Sequence, residues 1–463
     1  MSTLSESVPL QVDLDLVRKY NVPGPRYTSY PPATRFGEQT PEKILLQKIR
    51  ENNETSRPLS LYFHLPFCRS LCWFCGCTTV ITTKQGMSAH YLNHLEKELD
   101  WMARHLNLKR KVVQLHFGGG TPTFLLPDEI RALGKMIHSR FSVGEELEAS
   151  VEIDPRWMTE DHIAALREAG FNRASLGVQD HNPEVQQAIH RIQPYEQTKM
   201  VIDWIRSADF ESLNIDLIYG LPLQTPTSFQ KTVDEVLELS PDRFAVFNYA
   251  HVPWIKPAQK TLKEEKRPNA EVKLEMLKLT IEKLTTAGFD YIGMDHFARN
   301  DDELTVAQRN KTLQRNFQGY STCGEADIYG FGMSSISQTP DIYWQNLKEL
   351  PSYSAAVDAG DWALAKGYVL TDDDKIRRDT IMRLMCDLSL DYAELSDLVR
   401  VDFEKYFKNE LESLSDMRTD GLITLNSKGL EVTETGRLLI RNIAMRFDAY
   451  VDGEKERQYS KTI

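Results

Sequence analysis

Four of the chain's six cysteines, Cys68, Cys72, Cys75 and Cys77, fall within ten positions, while Cys323 and Cys386 stand alone far downstream. A disulfide framework spreads its cysteines more evenly, and clustered thiols in a reducing compartment more often bind metal. In Cys68-Arg-Ser-Leu-Cys72-Trp-Phe-Cys75 three residues and then two separate the thiols. One loop can then wrap three thiolates around an iron–sulfur cube. Three thiolates hold three irons, and the open position on the fourth is where such a redox-active cluster binds and activates a small molecule. Zinc is the alternative, but a structural zinc site usually draws its four ligands from two separated Cys or His pairs, and no second pair follows at suitable spacing. Cys323 and Cys386 read as small buried hydrophobes.

The rest of the chain must hold that loop. Its 463 residues correspond to two or three domains at roughly 150 residues each. With 41% hydrophobic and 26% charged residues it has the composition of a folded globular protein. No stretch approaches the ~18 consecutive apolar residues of a membrane span. A balance of 55 Lys and Arg against 67 Asp and Glu gives −12, which repels a polyanion, so nucleic acid is a poor partner. Met1 to Leu10 carries Ser, Glu and Pro where an export signal has a basic and then an apolar stretch, so a cytoplasmic protein is expected, and nothing demands a partner subunit, so a monomer.

From about residue 59 to 299, β-rich apolar runs alternate with helical periodicity, the pattern of a parallel sheet with crossover helices. Strands are expected at 59–65, 112–117, 149–153, 173–178, 212–219, 243–248 and 290–294, and helices at 88–105, 159–169, 226–239 and 270–287. Two helices end in Ala-Gly-Phe, at Gly170 and Gly288, where glycine suits the left-handed C-cap. Six or seven βα units are fewer than a closed eight-stranded barrel needs. The expected fold is therefore an α/β, incomplete parallel (β/α) barrel with its site at the C-terminal ends of the strands, where Cys68, Gly118-Gly119-Gly120-Thr121, Asp154, Gln179-Asp180 and Ala250-His251 fall. Residues 1–40, with a Pro-rich run at 23–32, form an extension and candidate lid; 41–367 form the barrel with accessory elements. Residues 368–463 form a small, mainly helical domain with a hairpin, winged-helix-like; the acidic balance argues against DNA for it.

The cysteine arrangement, with Phe74 as its aromatic residue, directly follows the first strand, and Gly118-Gly119-Gly120-Thr121-Pro122-Thr123 follows the second. Both features resemble the radical S-adenosylmethionine superfamily, although a glycine triplet can equally be a tight strand-to-helix turn. Pro25-Arg26-Tyr27-Thr28-Ser29-Tyr30-Pro31, Tyr62-Phe63-His64-Leu65-Pro66-Phe67-Cys68, Asn248-Tyr249-Ala250-His251, Gly293-Met294-Asp295-His296-Phe297-Ala298-Arg299 and Arg315-Asn316-Phe317-Gln318-Gly319-Tyr320 narrow the match. Together they resemble the oxygen-independent coproporphyrinogen III oxidase family, from about Val12 to the C-terminal end.

The resemblance implies a [4Fe–4S] cluster on Cys68, Cys72 and Cys75, and two molecules of S-adenosylmethionine. Tyr62, Gly119, Glu152, Ala250 and Ile336 match positions lining one of them; Phe74, Gly120, Thr121, Gln179, Arg191 and Asp216 match the second set. Glu152 or Asp216 can accept hydrogen bonds from an ammonium or ribose hydroxyls, and Arg191 can hold a carboxylate. Asp154 and Asp180 read more plainly as caps or ion-pair partners. The implied reaction converts two propionates of coproporphyrinogen III to vinyl groups, giving protoporphyrinogen IX, by hydrogen abstraction with a 5′-deoxyadenosyl radical. It requires a reduced donor protein such as flavodoxin or ferredoxin. The alternative is a haem-binding chaperone on the same fold; that branch lacks both the fourth cysteine and the long N-terminal motif that stand here. Cys77, one residue past Gly76, is expected to turn its thiol away from the three ligands. His64 either tunes the cluster and passes a proton or is a satisfied core histidine, and Phe317 and Gln318 are expected to wall the space between cofactor and substrate. Arg26, Arg299, Arg309 and Arg315 are candidates for the substrate carboxylates.

Overall fold

The computed structural model describes residues 10–37 and 40–451. The reading of Met1 to Leu10 as no export signal thus falls, but for Leu10, outside the described residues. Six strands, β1 (Leu59–Leu65), β2 (Lys111–Gly119), β3 (Ser142–Ile153), β4 (Arg173–Gln179), β5 (Ser212–Tyr219) and β6 (Arg243–Asn248), pair in chain order and all in parallel. Helices α1 (Gly86–Ala103), α2 (Pro127–Arg140), α3 (Glu160–Glu168), α4 (Tyr195–Ser207) and α5 (Pro226–Glu238) fill the connections, with the short helix Pro183–Ala188 preceding α4.

Strand β5 shows why this sequence makes a barrel. Leu213, Ile215 and Leu217 are fully buried on one face, while Asn214 and Asp216 alternate onto the other. Outward apolar residues meet the amphipathic helices and inward polar ones line the interior. In α5, Thr225 caps Ser228 N–H, Pro226 opens the first turn, and Phe229, Val233 and Val236 bury one stripe against the sheet. The glycine after α3, Gly170, has φ +97°, which supports the left-handed stop read from Ala-Gly-Phe.

The expected seventh strand forms as β7 (Phe289–Gly293), but it does not extend the parallel series. It makes an antiparallel hairpin with β8 (His296–Arg299), and β8 pairs antiparallel with β6. Gly293 and Met294 both have positive φ and reverse the chain, and two linking residues cannot span a parallel crossover of a dozen or more. At the other edge β9 (Asp327–Phe331) pairs in parallel with β1 and continues into β10 (Ile336–Gln338), β11 (Ile342–Asn346) and β12 (Leu364–Val369), all antiparallel. Among the described residues these twelve strands form one sheet whose ends, β12 and β7, do not pair, so the barrel is incomplete.

The first hydrophobic core packs the helices on the sheet and takes in Leu10, Val12 and Val17. The second joins Tyr20, Tyr27 and Tyr30 to Ile292 and Leu313 on the barrel side and to Ile381, Phe407 and Ile443 of the C-terminal part. The Pro-rich run is thus held between barrel and C-terminal helices. That part contains the expected hairpin, Ile423–Leu425 with Gly429–Val432, and a third strand, Ser389–Asp391, on its far side. Its leading helix, Asp372–Asp387, starts at a Thr371–Asp374 capping box. No helix among the described residues is long and apolar enough to cross a membrane.

Candidate active site

The thiol loop leaves β1 at Leu65 and is closed at its base by a two-residue parallel pair, Phe67–Cys68 with Val80–Ile81. Cys68 Sγ lies 3.3 Å from Thr121 Oγ1 of the glycine-rich turn. Cys72 is buried, and its sulfur receives Arg156 Nη2 at 3.4 Å and Arg191 Nη1 at 3.6 Å. Cys75 Sγ accepts the Cys77 N–H at 3.4 Å. Burial pushes the Cys68 thiol up to about 12, while the hydrogen bond from Cys77 holds Cys75 down at about 6 despite its own burial. Among the described residues no three His, Cys, Asp or Glu side chains converge closely enough to hold one metal ion. The donor set suits a polynuclear centre: three soft thiolates spread around one loop, one of them with two guanidiniums to balance its charge.

Cys77 does not turn away as expected. Its thiol hydrogen-bonds Cys75 although the residue is exposed, and that hydrogen bond leads in driving its pKa well up. A Cβ at Gly76 would meet nothing, so the approach of Cys77 to Cys75 places no demand for glycine between them.

Below the loop, inward residues of β1 to β5 form a polar ladder. Tyr62 stands opposite His116, His116 opposite Ser150, Glu152 opposite Ser175, and Ser175 opposite Asn214. His116 Nδ1 lies 2.5 Å from Ser150 Oγ and its Nε2 3.5 Å from Glu152 Oε1, so the ring accepts from the serine and faces its N–H to the carboxylate. Glu152 Oε2 accepts the Gly119 N–H at 3.0 Å. Burial opposes ionisation of Glu152, but His116 and that N–H outweigh it and its pKa is lowered. Asp216, accepting from Asn214 at 2.7 Å and Ser175 at 3.2 Å, goes the other way: burial and the Glu152 charge raise it to about 7.

The glycine turn is the tight, closely packed turn read for it. Gly119 has φ +110°, and a Cβ there would stand 2.5 Å from the His64 ring; one at Gly120 would stand 2.5 Å from the Pro66 carbonyl. The packing therefore requires glycine while the Gly119 N–H holds Glu152. His64 is buried with both ring nitrogens engaged, Nε2 at 2.9 Å from Thr78 O and Nδ1 at 3.1 Å from Tyr62 O–H. A carbonyl only accepts, so Nε2 carries the proton and Nδ1 accepts, and burial keeps the ring neutral by lowering its pKa.

Asp154 is the cap and ion-pair partner its position suggested: it accepts from Arg156 N–H and pairs with Arg156 at 2.7 Å and Arg191 at 3.1 Å. The two arginines overcome its burial and hold it at about 2. Asp180 accepts from Asn182 N, Gln224 and Thr232, a turn-fixing acid without an ion pair, and burial raises it to about 6. Arg191 also donates to Gly177 O at 2.7 Å, which ties the thiol loop to the end of β4, where Gln179 sits at φ +68°. Phe74 packs against the cluster of Val185, Leu221 and Tyr249, next to exposed Ala250.

On the opposite wall Phe317 and Ile336 pack with Phe36, Tyr343 and Leu370, and Gly330, opposite Tyr62 on β9, would strike Ile336 O with a Cβ at 2.7 Å. Gln318 Nε2 is buried and has no hydrogen-bond partner among the described residues. Of the four arginines expected to meet substrate, two lie elsewhere. Arg299 is exposed and bonds to Pro241 O, and Arg309 is exposed and pairs with Asp290 at 2.7 Å, because both belong to the β7–β8 hairpin and its following helix, which turn back along the outside. Arg26 pairs with Asp295 and lies over Phe247; Arg315 lies over Tyr320, donates to Tyr27 O at 3.2 Å and keeps a buried, unpartnered Nη1.

A third cation, Arg441, donates to Pro25 O at 3.0 Å and to Gly24 O. Burial and neighbouring guanidiniums lower both Arg26 and Arg441 to about 10, Arg441 and Arg315 acting on Arg26 and Arg315 on Arg441. His296, between Phe247 and Tyr320, is held at about 3 by burial and by Arg315 and Arg26, and its Nδ1 is buried without a partner. Sequence reasoning gave neither Arg441 nor His296 a role. The available signal for Arg441 was an arginine inside the apolar run Leu438 to Ala444.

Residues 62–236 match the model of the radical SAM superfamily and residues 370–439 that of the HemN C-terminal domain. The chain is 48% identical to the oxygen-independent coproporphyrinogen III oxidase of Escherichia coli, over 97% of this chain and 98% of that protein. It is 45% identical to the one of Pseudomonas aeruginosa over the same shares, and 44% identical to one of Helicobacter pylori over 98% and 99%. The solved coproporphyrinogen III oxidase (HemN) of Escherichia coli, described as a radical SAM enzyme, superposes with a TM-score of 0.92 at 46% identity, over 96% of this chain and all of that one.

Proposed function

The chain belongs to the oxygen-independent coproporphyrinogen III oxidase family, and from that premise we propose that it oxidatively decarboxylates two propionate side chains of coproporphyrinogen III, giving protoporphyrinogen IX. Membership implies a [4Fe–4S] cluster and S-adenosylmethionine. Cys68, Cys72 and Cys75 would hold the cluster, and two molecules of S-adenosylmethionine would lie between the polar ladder and the aromatic wall. When bound, cluster and cofactor would supply a 5′-deoxyadenosyl radical, the hydrogen-abstracting chemistry that oxidative conversion of a propionate to a vinyl group requires, with release of carbon dioxide and one electron to an acceptor. The reductant is a flavodoxin- or ferredoxin-like protein.

The residues divide that work. Glu152, kept ionised by His116 and Gly119 N–H, accepts from the ammonium or ribose of the cofactor, and Asp216 offers a second acceptor one strand pair away. Arg191 and Arg156 fix Cys72 from the protein side. Arg26 and Arg315 hold substrate propionates with Arg441 beside them, while Gln318 Nε2 and His296 Nδ1 present open hydrogen-bonding atoms to a carboxylate or a pyrrole N–H. The tyrosines of the Pro-rich run and the C-terminal helices close the cavity against water, which protects a carbon radical from side reactions.

The observation that carries the proposal is the convergence, at one barrel mouth, of a three-thiol loop with a cluster of three arginines, Arg315 and Arg441 of them buried. The haem-chaperone alternative is not favoured, because the full-length relatives bear the oxidase name. The deciding experiment is anaerobic incubation of reconstituted, reduced protein with S-adenosylmethionine, coproporphyrinogen III and an electron acceptor. About two deoxyadenosines per protoporphyrinogen are expected; deoxyadenosine without vinyl product would overturn the substrate, and tight haem binding without turnover would install the chaperone.

A further inference from the structure

Exposed large apolar side chains gather around the thiol loop. Trp254 (59% exposed) and Ile255 (63%) sit on the segment after β6 that is tied to the loop by Lys256 Nζ to Cys77 O at 2.7 Å and Gln259 Nε2 to Phe74 O at 2.9 Å. Ile192 (58%) follows residues whose main chain and imidazole bond Trp73 N and Leu71 O. Exposed Trp157 lies against Arg69 of the loop, and exposed Ile81 belongs to the strand pair that closes it. Single exposed apolar residues need no explanation, but five on segments that all touch one loop form the kind of patch that marks a protein contact.

Charge supplies the partner's chemistry. Residues 251–269 carry five cations against Glu264 and Glu265, and residues 69–85 add Arg69 and Lys84 with no acid, a local excess of +5 on a chain of −12. Lys260, Lys263 and Lys266 are exposed and form no ion pair among the described residues. An acidic protein is repelled by most of this surface and attracted to the face above the cysteines. The reaction draws its electron from outside, and Cys68 and Cys75 are both half-buried, with the segment of Trp254 bonded to Phe74 O and Cys77 O on either side of Cys75.

We propose that the surface centred on Trp254 and Ile255 and ringed by Lys260, Lys263 and Lys266 is the docking site of an acidic one-electron carrier protein with a flavin or iron–sulfur centre. The assignment rests on the radical reading of the thiol loop, so the test separates the two. Deoxyadenosine formation is measured against the concentration of a reduced flavodoxin and, in parallel, with dithionite. The dithionite rate of the unaltered protein tests the loop chemistry alone.

In Lys260→Glu/Lys263→Glu the flavodoxin concentration for half-maximal rate should rise at least about tenfold at low salt, with the dithionite rate unchanged and the salt dependence flattened. Trp254→Ala should weaken carrier use by a similar factor at any salt. The control Lys109→Glu/Lys111→Glu reverses two exposed cations where β2 begins, at the opposite end of the barrel, and should leave carrier use unaltered. Equal effects of control and test pairs, or none in Lys260→Glu/Lys263→Glu, would overturn the assignment. So would a dimer of the unaltered protein that dissociates in Trp254→Ala, which would give the face to a second copy.

Discussion

Asp216 provides a quantitative test of how the cofactor is held. In the free protein it protonates at about 7, because burial and the Glu152 charge raise it more than Asn214 and Ser175 lower it. A sulfonium ligand carries fixed positive charge and favours the carboxylate, so binding expels the proton. Affinity should then fall as pH drops through 7 and level off above about 8. The ionised fraction rises from about one tenth at pH 6 to about nine tenths at pH 8, an approximately tenfold tightening, and each unit below 7 costs about 1.4 kcal/mol. The assay is anaerobic calorimetric titration of cluster-loaded protein with S-adenosylmethionine at both pH values, in two buffers of different ionisation enthalpy to count released protons. The ligand's own amino group also titrates near 8, and Asp216→Asn isolates the protein's share. The variant should bind about as weakly at pH 8 as the unaltered protein does at pH 6, with its Asp216 proton missing from the count. Because the folded state holds this proton better than the unfolded one, stability of the unaltered protein declines from about pH 4 to 7. Asp216→Asn should therefore gain up to about 4 kcal/mol at pH 8 by thermal or urea unfolding. The same pH slope in variant and unaltered protein would refute the reasoning.

Cys72→Ser leaves Arg156 and Arg191 aimed at a hydroxyl, and iron content after reconstitution should fall severalfold with deoxyadenosine formation down by more than about a hundredfold. Gly119→Ala forces a Cβ to 2.5 Å from the His64 ring at φ +110° and should cost about 2–4 kcal/mol in urea unfolding, with loss of cofactor cleavage. Arg315→Met should raise KM for coproporphyrinogen III by about ten- to a hundredfold, as loss of a charged hydrogen bond implies, and leave S-adenosylmethionine affinity unaltered. Glu98, buried under Tyr353, Gly332 N–H and Asn346, is raised by burial to about 7. Its folded form holds the proton more tightly, so stability is lost as pH climbs from about 4.5 to 7, and Glu98→Gln should raise the melting temperature at pH 8 but not at pH 5.

The parts legible in the sequence are those encoded over short spans. Strand alternation such as Leu213, Ile215 and Leu217 against Asn214 and Asp216 announces itself within eight residues, and β1, β5 and β6 begin and end where the pattern does. Strand β3 starts seven residues before its expected apolar run, because Ser142 to Glu148 is polar and becomes a strand by pairing with the start and middle of β2. Strands β9 to β12 were hidden for a similar reason: each is only three to six residues long, and their order in the sheet follows from β9 docking beside β1, a contact between distant segments.

The same distinction divides the site. The thiol loop was readable because its ligands and their folding constraints lie in ten adjacent positions, apart from the side on which Cys77 turns, which is set by its hydrogen bond to Cys75 in the folded loop. The cation cluster was readable only in part: Arg26 and Arg315 were candidates beside Arg299 and Arg309, which lie elsewhere, and Arg441 was not, since the three come from the Pro-rich run, a hairpin beyond the barrel strands and the last helices, and meet only when the second core forms. Bringing them together has a cost visible in Arg26 and Arg441, both lowered to about 10 by burial and by a neighbouring guanidinium charge, Arg315 acting on both. A tetracarboxylate substrate relieves that repulsion. The electrostatic strain that closing the two ends of the chain over the barrel puts into the free protein is therefore the interaction that favours the anionic substrate once it enters.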